Sequence, residues 1–312
     1  MKKNLLMLIL LLHFLCGEAQ KKVSFFSIPD TTTPSHVWIL TGTTAALYGA
    51  SLAALNTAWY KGYPRSSFHF FNDMGEWNQM DKAGHIFSAY FIGKYSREMW
   101  RWSGLPRKKQ IWIGGLTGFA FQSVVEVLDG FSSEWGFSWG DMGANAIGSG
   151  ILVSQELFWN EQRIQLKFSS HPDLYNDPTL RAKAGQLFGE SFWERTLKNY
   201  NGQTYWLSVN VYSFYKESNF PKWLNIAVGY GADNMLGGRD NTWTDQHGVD
   251  QDYSHLKRIR QFYLSPDVNF TKIYTRKKGV KVLFQVLNMI KIPAPTLELN
   301  SSGQVKLHAL YF

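Results

Sequence analysis

The chain has 312 residues, of which 45% are hydrophobic and 16% aromatic, and its formal net charge at pH 7 is +8. This composition is too apolar for a disordered chain and is ample for a packed core. The 32 lysine and arginine residues are scattered without forming a basic stripe, which argues against a nucleic-acid-binding protein. The positive charge favours contact with anionic membrane or cell-wall surfaces instead.

The first 19 residues have the pattern of a secretory signal peptide. Two lysines precede an apolar run, Leu5–Leu15, and small residues follow up to Ala19. Cleavage after Ala19 would remove Cys16, the only cysteine in the sequence. Lipidation of Cys16 and an uncleaved anchor are the alternatives. We therefore expect an exported protein, in which residues 20–35 form a polar linker.

Four helices are predicted between residues 36 and 160. The first, Val37–Tyr60, has no charged residue and is long enough to span a bilayer, although its small residues would equally permit close helix packing. The uncharged runs of the other three are shorter than a membrane span, which predicts helices buried in protein. These three helices are predicted at about Asp81–Trp100, Gln110–Asp129 and Gly140–Trp159. The expected fold is mainly α, with a membrane-associated four-helix bundle.

The charges flanking these helices bear on the membrane that the protein contacts. In an up-down bundle, most of the lysines and arginines between residues 21 and 167 fall at one pole. An export signal places that pole on the exported side, which is opposite to the positive-inside rule. The sequence therefore favours a periplasmic or outer-membrane-associated protein over an inner-membrane protein.

Residues 161–312 are predicted to form a mixed α/β region. The apolar residues of Thr179–Asn199 recur at helical spacing, which predicts one amphipathic helix. Strands are predicted at Tyr205–Val211, Arg260–Phe270 and Lys281–Leu287, the last of which also fits a helix.

The chain is predicted to end in a β-hairpin, Thr296–Leu299 with Gln304–Phe312. Its alternation is typical of outer-membrane barrel strands, but the sequence contains too few such segments for a whole barrel. The glycines of Gly229–Gly238 lack phosphate-loop spacing and are predicted to form turns.

Polar residues recur at helical spacing on the last three predicted helices. Helical periodicity puts the members of each pair on one face. Antiparallel packing then brings the start of the second helix, the end of the third and the start of the fourth to one pole. The predicted polar layer contains Lys82 and three pairs, Asp81 with His85, Glu126 with Asp129, and Asp141 with Asn145.

Two kinds of chemistry suit this set. His85 together with Glu126, Asp129 and Asp141 can hold a hard or borderline divalent ion, with Asn145 adding an oxygen. A water activated there would be a hydrolytic nucleophile. Without a metal, crowding raises the pKa of at least one carboxyl, which leaves an acid–base pair with His85.

A structural role for the same residues is the alternative. Asp81 and Asp141 stand at helix starts, where they would serve as caps. Lys82 would then neutralise Glu126 or Asp129. The sequence leaves the catalytic, metal-binding and structural interpretations open.

The order of these motifs resembles a known family. Asp81-Lys82-x-x-His85, Glu126-x-x-Asp129 and Ser138-x-x-Asp141-x-x-x-Asn145-x-x-Gly148 resemble the YfiM-like family of predicted periplasmic lipoproteins, a domain of unknown function. The same order is similar to the VanZ-like membrane family, which is associated with glycopeptide resistance. The resemblance covers roughly residues 36–160, and Pro221–Gly238 resembles the long form found in Bacteroidetes-type bacteria. The resemblance implies an envelope location and a shared role for the residues of the motif, but it implies no reaction.

Two functional hypotheses follow. The first is an exported, membrane-associated envelope protein that acts as an accessory or binding component in envelope or outer-membrane biogenesis. Its partner would be a membrane lipid, an envelope protein or both. The second is a metal-assisted hydrolase or transferase that acts on a lipid or cell-wall headgroup at the polar layer.

Overall fold

The computed structural model describes residues 27–61, 63–173 and 175–312. The α-helices in this part are α1 Pro34–Leu55, α2 Met80–Arg101, α3 Arg107–Asp129, α4 Trp139–Phe158, α5 Pro178–Phe188, α6 Phe192–Lys198, α7 Val211–Phe214 and α8 Lys278–Leu287. The strands are β1 Ile164–Ser170, β2 Gln203–Asn210, β3 Leu224–Asp233, β4 Thr242–Thr244, β5 Asp250–Asp252, β6 Ile259–Val268, β7 Ala294–Asn300 and β8 Val305–Tyr311. A π-helical turn, Asn56–Tyr60, follows α1, and short 3-10 helices occupy Trp77–Gln79 and Phe270–Lys272. The predicted signal peptide with Cys16, and residues 20–26 of the predicted linker, lie outside the described residues.

Helices α2, α3 and α4 pack against one another through glycines. Gly118 of α3 lies against the backbone of Ala89 in α2, and Gly148 of α4 lies against the backbone of Ile86. A side chain at either glycine would collide with a main-chain carbonyl, so only glycine permits these close approaches. The three helices therefore hold their polar ends in a closely defined arrangement.

Six strands form one antiparallel sheet in the order β1-β2-β3-β6-β7-β8, while β4 pairs with β5 separately. Two hydrogen bonds show that the sheet is curled. Lys291 N donates to Phe168 O at 2.9 Å, and Phe168 N donates to Met289 O at 2.9 Å. These bonds join β1 to the segment that precedes β7. In β8, the ring of Tyr311 stacks on that of Tyr263 with centroids 4.6 Å apart. The curled sheet thereby encloses an interior of its own.

The predicted mainly α fold with a four-helix bundle is wrong. The first helix does not complete a bundle, since His36 and Leu40 are its buried residues and Trp38 is 75% exposed. The sheet covers the remaining side of the three helices instead. Leu166 of β1 packs into the core formed by the helices, and Phe168 packs on Phe87 of α2. Leu166 and Phe168 thereby place large apolar side chains against α2, which favours burial of that surface. The protein combines helices with an extensive antiparallel sheet.

The helix predicted at Thr179–Asn199 is divided into α5 and α6. Gly189 separates them with φ of 80°, a conformation that favours glycine. Ser191 then begins α6 with a capping box, in which its Oγ accepts from Glu194 N and the Glu194 carboxylate accepts from Ser191 N. A second start signal inside an otherwise periodic stretch therefore breaks the helix.

The remaining predictions for the C-terminal region divide between strand and helix. The strands predicted at Tyr205–Val211 and Arg260–Phe270 are confirmed as β2 and β6, and the closing hairpin as β7 and β8. Residues Lys281–Leu287 form part of α8, which is the helical alternative. The turns predicted for Gly229–Gly238 are wrong over the first half, which belongs to β3.

Two of the described helices, α1 and α3, are long and apolar enough to cross a membrane by length and composition. The core helix of a water-soluble protein passes the same test, so length does not by itself place either helix in a bilayer.

Candidate functional site

The start of α2 is held by a strained turn. The consecutive residues Trp77–Gln79 all have positive φ, at 46°, 50° and 61°, which side-chain-bearing residues rarely adopt. Trp77 N donates to Gly238 O at 2.7 Å, Tyr230 Oη donates to Asn78 O, and Arg260 Nη2 donates to Gln79 Oε1 at 2.6 Å. Strain of this kind persists where the surroundings hold it. Contacts from the sheet region thus position the helix that carries the first site residues.

Lys82 joins three carboxylates at the centre of the polar layer. Its Nζ lies 2.6 Å from Asp73 Oδ2, 2.8 Å from Asp81 Oδ2 and 2.9 Å from Asp141 Oδ1. Burial alone would lower the pKa of this ammonium, but Asp81 and Asp141 outweigh it and raise the pKa of Lys82. Lys82 therefore stays charged and holds the three acids together, rather than neutralising Glu126 or Asp129.

His85 is oriented with one ring nitrogen towards the carboxylates. Its Nδ1 lies 3.0 Å from Asn145 Oδ1, an acceptor that assigns the proton to Nδ1. Its Nε2 lies 3.6 Å from Glu126 Oε1 and 3.8 Å from Asp141 Oδ1. Burial lowers the pKa of His85 more than the hydrogen bond to Asn145 raises it. A neutral imidazole whose Nδ1 is held by Asn145 and whose Nε2 carries no proton is the arrangement of a metal-binding histidine.

Glu126 presents a buried oxygen with no hydrogen-bond partner among the described residues, and Asp141 presents a buried oxygen that lies 2.9 Å from the ammonium of Lys82. The two residues are 1% and 5% exposed, and the atoms concerned are Glu126 Oε1 and Asp141 Oδ1. Burial, reinforced by the charge of Asp141, raises the pKa of Glu126 to about 9. Burial also raises the pKa of Asp141 to about 8. These carboxyls would hold protons at neutral pH unless a cation takes their place.

Asp73 completes the layer from the loop that precedes α2. Ser138 Oγ donates to Asp73 Oδ1 at 2.6 Å and accepts from Asp141 N at 3.1 Å. Burial would raise the pKa of Asp73, but hydrogen bonds with Asp141, Lys82 and Ser138 outweigh burial and lower it. Asp73 and Asp141 thus titrate as a pair in which Asp141 retains the proton.

Asp129 faces the same space from the end of α3. Tyr60 Oη donates to Asp129 Oδ1 at 2.6 Å. Burial raises the pKa of Asp129 to about 6, against the lowering effect of this hydrogen bond. A carboxyl with that pKa is suited to general acid–base chemistry near neutral pH.

The layer forms one wall of a cavity of about 500 Å³. Asp73, Asp81, Glu126, Asp129 and Asp141 line it. Much of the remaining lining is aromatic, with Tyr60, Phe87, Trp135, Phe168, Tyr200 and Tyr205. A concave apolar space with a few converging polar groups is the usual form of a small-molecule site. This one suits a molecule with a polar head and an apolar body.

The geometry fits a divalent cation at three of the predicted ligands. His85, Glu126 and Asp141 each offer one ligand atom, and these atoms lie within 4.8 Å of one another. One nitrogen and two oxygens suit a borderline ion such as zinc. A second acidic group, Asp73 with Asp81 and Asp141, is as closely spaced, but Lys82 Nζ lies within 2.9 Å of an oxygen of every member. In the first group, Asp141 is the member that Lys82 contacts.

The structure brings all seven predicted site residues to one end of the helical layer, in different roles. Asp81 and Asp141 do not cap their helices, since the cap positions are Gln79 and Ser138. Asp129 lines the cavity beside Tyr60, and its predicted role as a metal ligand stays a prediction. Sequence reasoning missed Asp73 and Tyr60, because both reach the site from segments outside α2–α4.

One family model matches the chain, over residues 69–155, and its family is described as Predicted periplasmic lipoprotein (DUF2279). No curated protein and no solved structure matches. The matched stretch contains α2, α3 and most of α4 with every residue of the polar layer. The protein is exported and belongs to the cell envelope, as the sequence predicts.

Proposed function

We propose that this exported envelope protein is a metal-assisted hydrolase or transferase that acts on the headgroup of an envelope lipid or cell-wall precursor. The observation that carries the proposal is the convergence of His85 Nε2, Glu126 Oε1 and Asp141 Oδ1 on one wall of the cavity. Glu126 Oε1 is a buried carboxylate oxygen with no hydrogen-bond partner among the described residues, which is costly to maintain, and a divalent ion would remove that cost.

The residues around these atoms have separate roles in this proposal. A divalent ion bound there would supply Lewis acidity to the reacting headgroup. Asn145 fixes the ring of His85, and Lys82 holds Asp73, Asp81 and Asp141 in place. Asp129, with its raised pKa, is the candidate general base or acid.

The aromatic walls define the substrate class. Phe87, Phe168 and Tyr205 lie in mutual contact on the side of the cavity that faces the sheet. They would bury the apolar part of an amphiphile while its headgroup contacts the carboxylates. This division explains why a lipid or a lipid-linked precursor is preferred over a fully polar substrate.

Metal analysis tests the proposal. We expect purified protein, stripped with chelator and titrated with Zn²⁺ or Mn²⁺, to bind one equivalent. Glu126→Gln and His85→Ala should weaken binding by at least about tenfold, and Asn145→Ala by about 10- to 100-fold. His247→Ala, on the exposed β4–β5 connection, is the matched control and should bind as the wild type does.

Activity is assayed with mixed micelles that contain phosphatidylethanolamine or a short polyprenyl pyrophosphate. Headgroup release that depends on added metal, and is lost in Asp129→Asn without loss of metal, supports the assigned roles. Identical metal binding by wild type and Glu126→Gln, with both folded by thermal denaturation, would contradict the proposal.

An accessory or binding role in envelope or outer-membrane biogenesis is the second candidate. It is favoured by large exposed aromatic side chains, since Trp38, Phe192 and Trp193 are each more than 70% exposed. Affinity purification from membranes would then recover a stoichiometric envelope protein that Trp38→Ser or Trp193→Ser releases. Repeated recovery of the protein alone would count against this role.

We also retain the YfiM-like and VanZ-like resemblances as proposals. The motif order at Asp81, Glu126 and Asp141 supports them, as does the envelope location of the matched family. Association with the outer membrane is proposed on the same basis and is tested by fractionating cells into inner membrane, outer membrane and periplasm.

A further inference from the structure

The outward face of the sheet carries a continuous row of aliphatic side chains. In the antiparallel register, Leu207 is opposite Val228, Val228 opposite Leu264, Leu264 opposite Leu297, and Leu297 opposite Leu307. The row crosses β2, β3, β6, β7 and β8, and its members are 43–80% exposed. A parallel row contains Phe262, Leu299 and Val305 at 47%, 50% and 65%. Exposed apolar side chains in such register form one large patch, which marks an interaction surface.

The inward face of the same strands is polar and buried. Lys167, Ser208 and Asn225 are 0% exposed, and Asp267 and Glu298 are 2% exposed. A water-soluble antiparallel sheet shows the opposite arrangement, with its apolar face inside and its polar face in water. Apolar residues outside and polar residues inside are the pattern of a sheet surrounded by lipid.

The side chains on the outward face suit lipid better than a protein partner. All of β3, β6 and β7 is described, and Arg260, at the start of β6, is the charged residue among their outward positions. Protein interfaces carry a polar rim and are enriched in arginine and tyrosine, whereas leucine and valine are under-represented among their energetic centres. The exposed outward positions of β3 and β6 are Ile226, Val228, Phe262, Leu264 and Pro266. The other end of the two strands lies against the turn before α2, to which Tyr230 and Arg260 are bonded.

One end of the sheet has the composition of a membrane interface. Trp223, in the β2–β3 connection, is 42% exposed, and its carbonyl accepts from Asn269 N in the β6–β7 connection at 2.7 Å. That second connection contains α8, which has no buried residue. Its exposed apolar residues include Val282, Leu283 and Val286, and lysines lie at 277, 278 and 281. An exposed amphipathic helix with basic residues is suited to lie among anionic headgroups.

We propose that the outward face of β2, β3, β6, β7 and β8 is a lipid-facing surface, with α8 lying at the level of the headgroups. This surface attaches the protein to its membrane independently of any acyl chain on Cys16. The proposal stands on the sheet and α8 and does not depend on the metal site.

Vesicle flotation tests the proposal. The full chain carries Cys16→Ser in every sample, so that an acyl anchor cannot account for binding. Detergent is removed in the presence of phosphatidylethanolamine–phosphatidylglycerol vesicles, and the bound fraction is measured after flotation. We expect the parent to float, and Leu264→Glu and Leu297→Glu to lose at least about tenfold in apparent affinity, because each places a charge on the lipid-facing side.

Val249→Glu is the matched control, since Val249 is 53% exposed but lies in the β4–β5 connection. It should float as the parent does. Replacing Lys277, Lys278 and Lys281 by glutamine should weaken binding to anionic vesicles by about fivefold per lysine and leave binding to phosphatidylcholine vesicles unchanged.

Three results would overturn the proposal. The parent protein could remain in the aqueous fraction as a monodisperse monomer, or Leu264→Glu could float as well as the parent. Alternatively, the detergent-free parent could form a dimer that Leu264→Glu dissociates without any vesicle binding, which would assign the face to a second copy of the chain. Circular dichroism of each variant verifies that loss of flotation is not loss of fold.

Discussion

The interior of the sheet and the polar layer of the helices both bury charged residues, but they differ in charge balance. Inside the sheet, Lys167 Nζ lies 2.7 Å from Asp267 Oδ2, which also accepts from Ser208 Oγ at 2.6 Å. With Lys291 as a second buried lysine and Glu298 as a second buried acid, the fully buried lysines and acids of these strands and the segment before β7 match in number.

The polar layer, in contrast, sets five carboxylates against one lysine and a neutral histidine. Asp73, Asp81, Glu126, Asp129 and Asp141 all line the cavity, and Lys82 compensates for one of them. The sheet interior is therefore suited to stabilising its own fold, whereas the polar layer needs protons or a cation from outside. Buried charge alone does not identify a functional site; an unbalanced set that faces a cavity does.

The largest expected effect tests the structural side of this contrast. Lys167→Met leaves the carboxylate of Asp267 buried without its cation and should lower the free energy of unfolding by about 3–5 kcal/mol. Chemical denaturation in detergent measures the change. Lys272→Met is the control, because its partner Glu161 is partly exposed and such a pair is worth about 0–1 kcal/mol.

The double variant Lys167→Met with Asp267→Asn separates charge from packing. It should recover much of the lost stability, because no uncompensated charge remains. Equal costs for Lys167→Met and Lys272→Met would show that the sheet interior does not depend on charge balance.

A second prediction concerns the helix packing that assembles the polar layer. Gly148→Ala should destabilise the protein by about 1–3 kcal/mol, since its Cβ would meet the backbone carbonyl of Ile86. Gly150→Ala, two residues further along α4, meets nothing within 4 Å and should stabilise by about 0.5–1 kcal/mol. Thermal denaturation distinguishes the two, and metal affinity should fall in Gly148→Ala because α4 carries Asn145 and Asp141. Similar stability of both variants would contradict the close approach of α2 and α4.

A third prediction contrasts Lys167 with a lysine that has no such partner. Lys94 Nζ is buried and bonded to no acceptor among the described residues. Burial lowers the pKa of Lys94 to about 8; Glu98 and Glu156 raise it, while Lys167 and Arg97 lower it further. Between about pH 8 and the usual pKa of 10.5, the unfolded state binds more protons than the folded state. The free energy of unfolding should therefore rise with pH across that window.

Lys94→Met should lack that rise and should be more stable than the wild type at pH 7, on the order of 1–2 kcal/mol. Unfolding of both proteins at pH 7 and pH 10 gives the comparison. A decrease in stability at pH 7 would indicate that Lys94 is paired after all, in the manner of Lys167.

Local signals predicted the helical part of the fold well. Helices α2–α4 begin and end within three residues of their predicted limits, because an uncharged run is visible in neighbouring residues. The caps predicted at Asp81 and Asp141 were wrong, since Gln79 and Ser138 hold those positions. The pole shared by the site residues followed from the alternation of helix direction. The same reasoning wrongly assigned α1 to the bundle, because composition does not show whether α1 or the sheet packs against α2.

The sheet was harder to predict because its pairing is long-range and its polarity is reversed. In β3, Asn225 and Asp233 flank a glycine-containing stretch, which resembles a turn when polar residues are expected outside. Asp73 and Tyr60 were not predicted for a related reason, since no helical periodicity links either residue to the motif. Their positions depend on the packing of the loop against α3 and α4.

The smallest effect separates stability from function at two serine caps. Ser138 Oγ accepts from Asp141 N at 3.1 Å, and Ser191 Oγ accepts from Glu194 N at 3.2 Å. Ser138→Ala and Ser191→Ala should each cost about 1 kcal/mol of stability. Only Ser138→Ala should also weaken Zn²⁺ binding, because Ser138 Oγ also holds Asp73, which shares the ammonium of Lys82 with the ligand Asp141. If calorimetric titration gives equal Zn²⁺ affinity for the two variants, Ser138 acts as a cap alone, and the carboxylates do not depend on its hydrogen bond for their alignment.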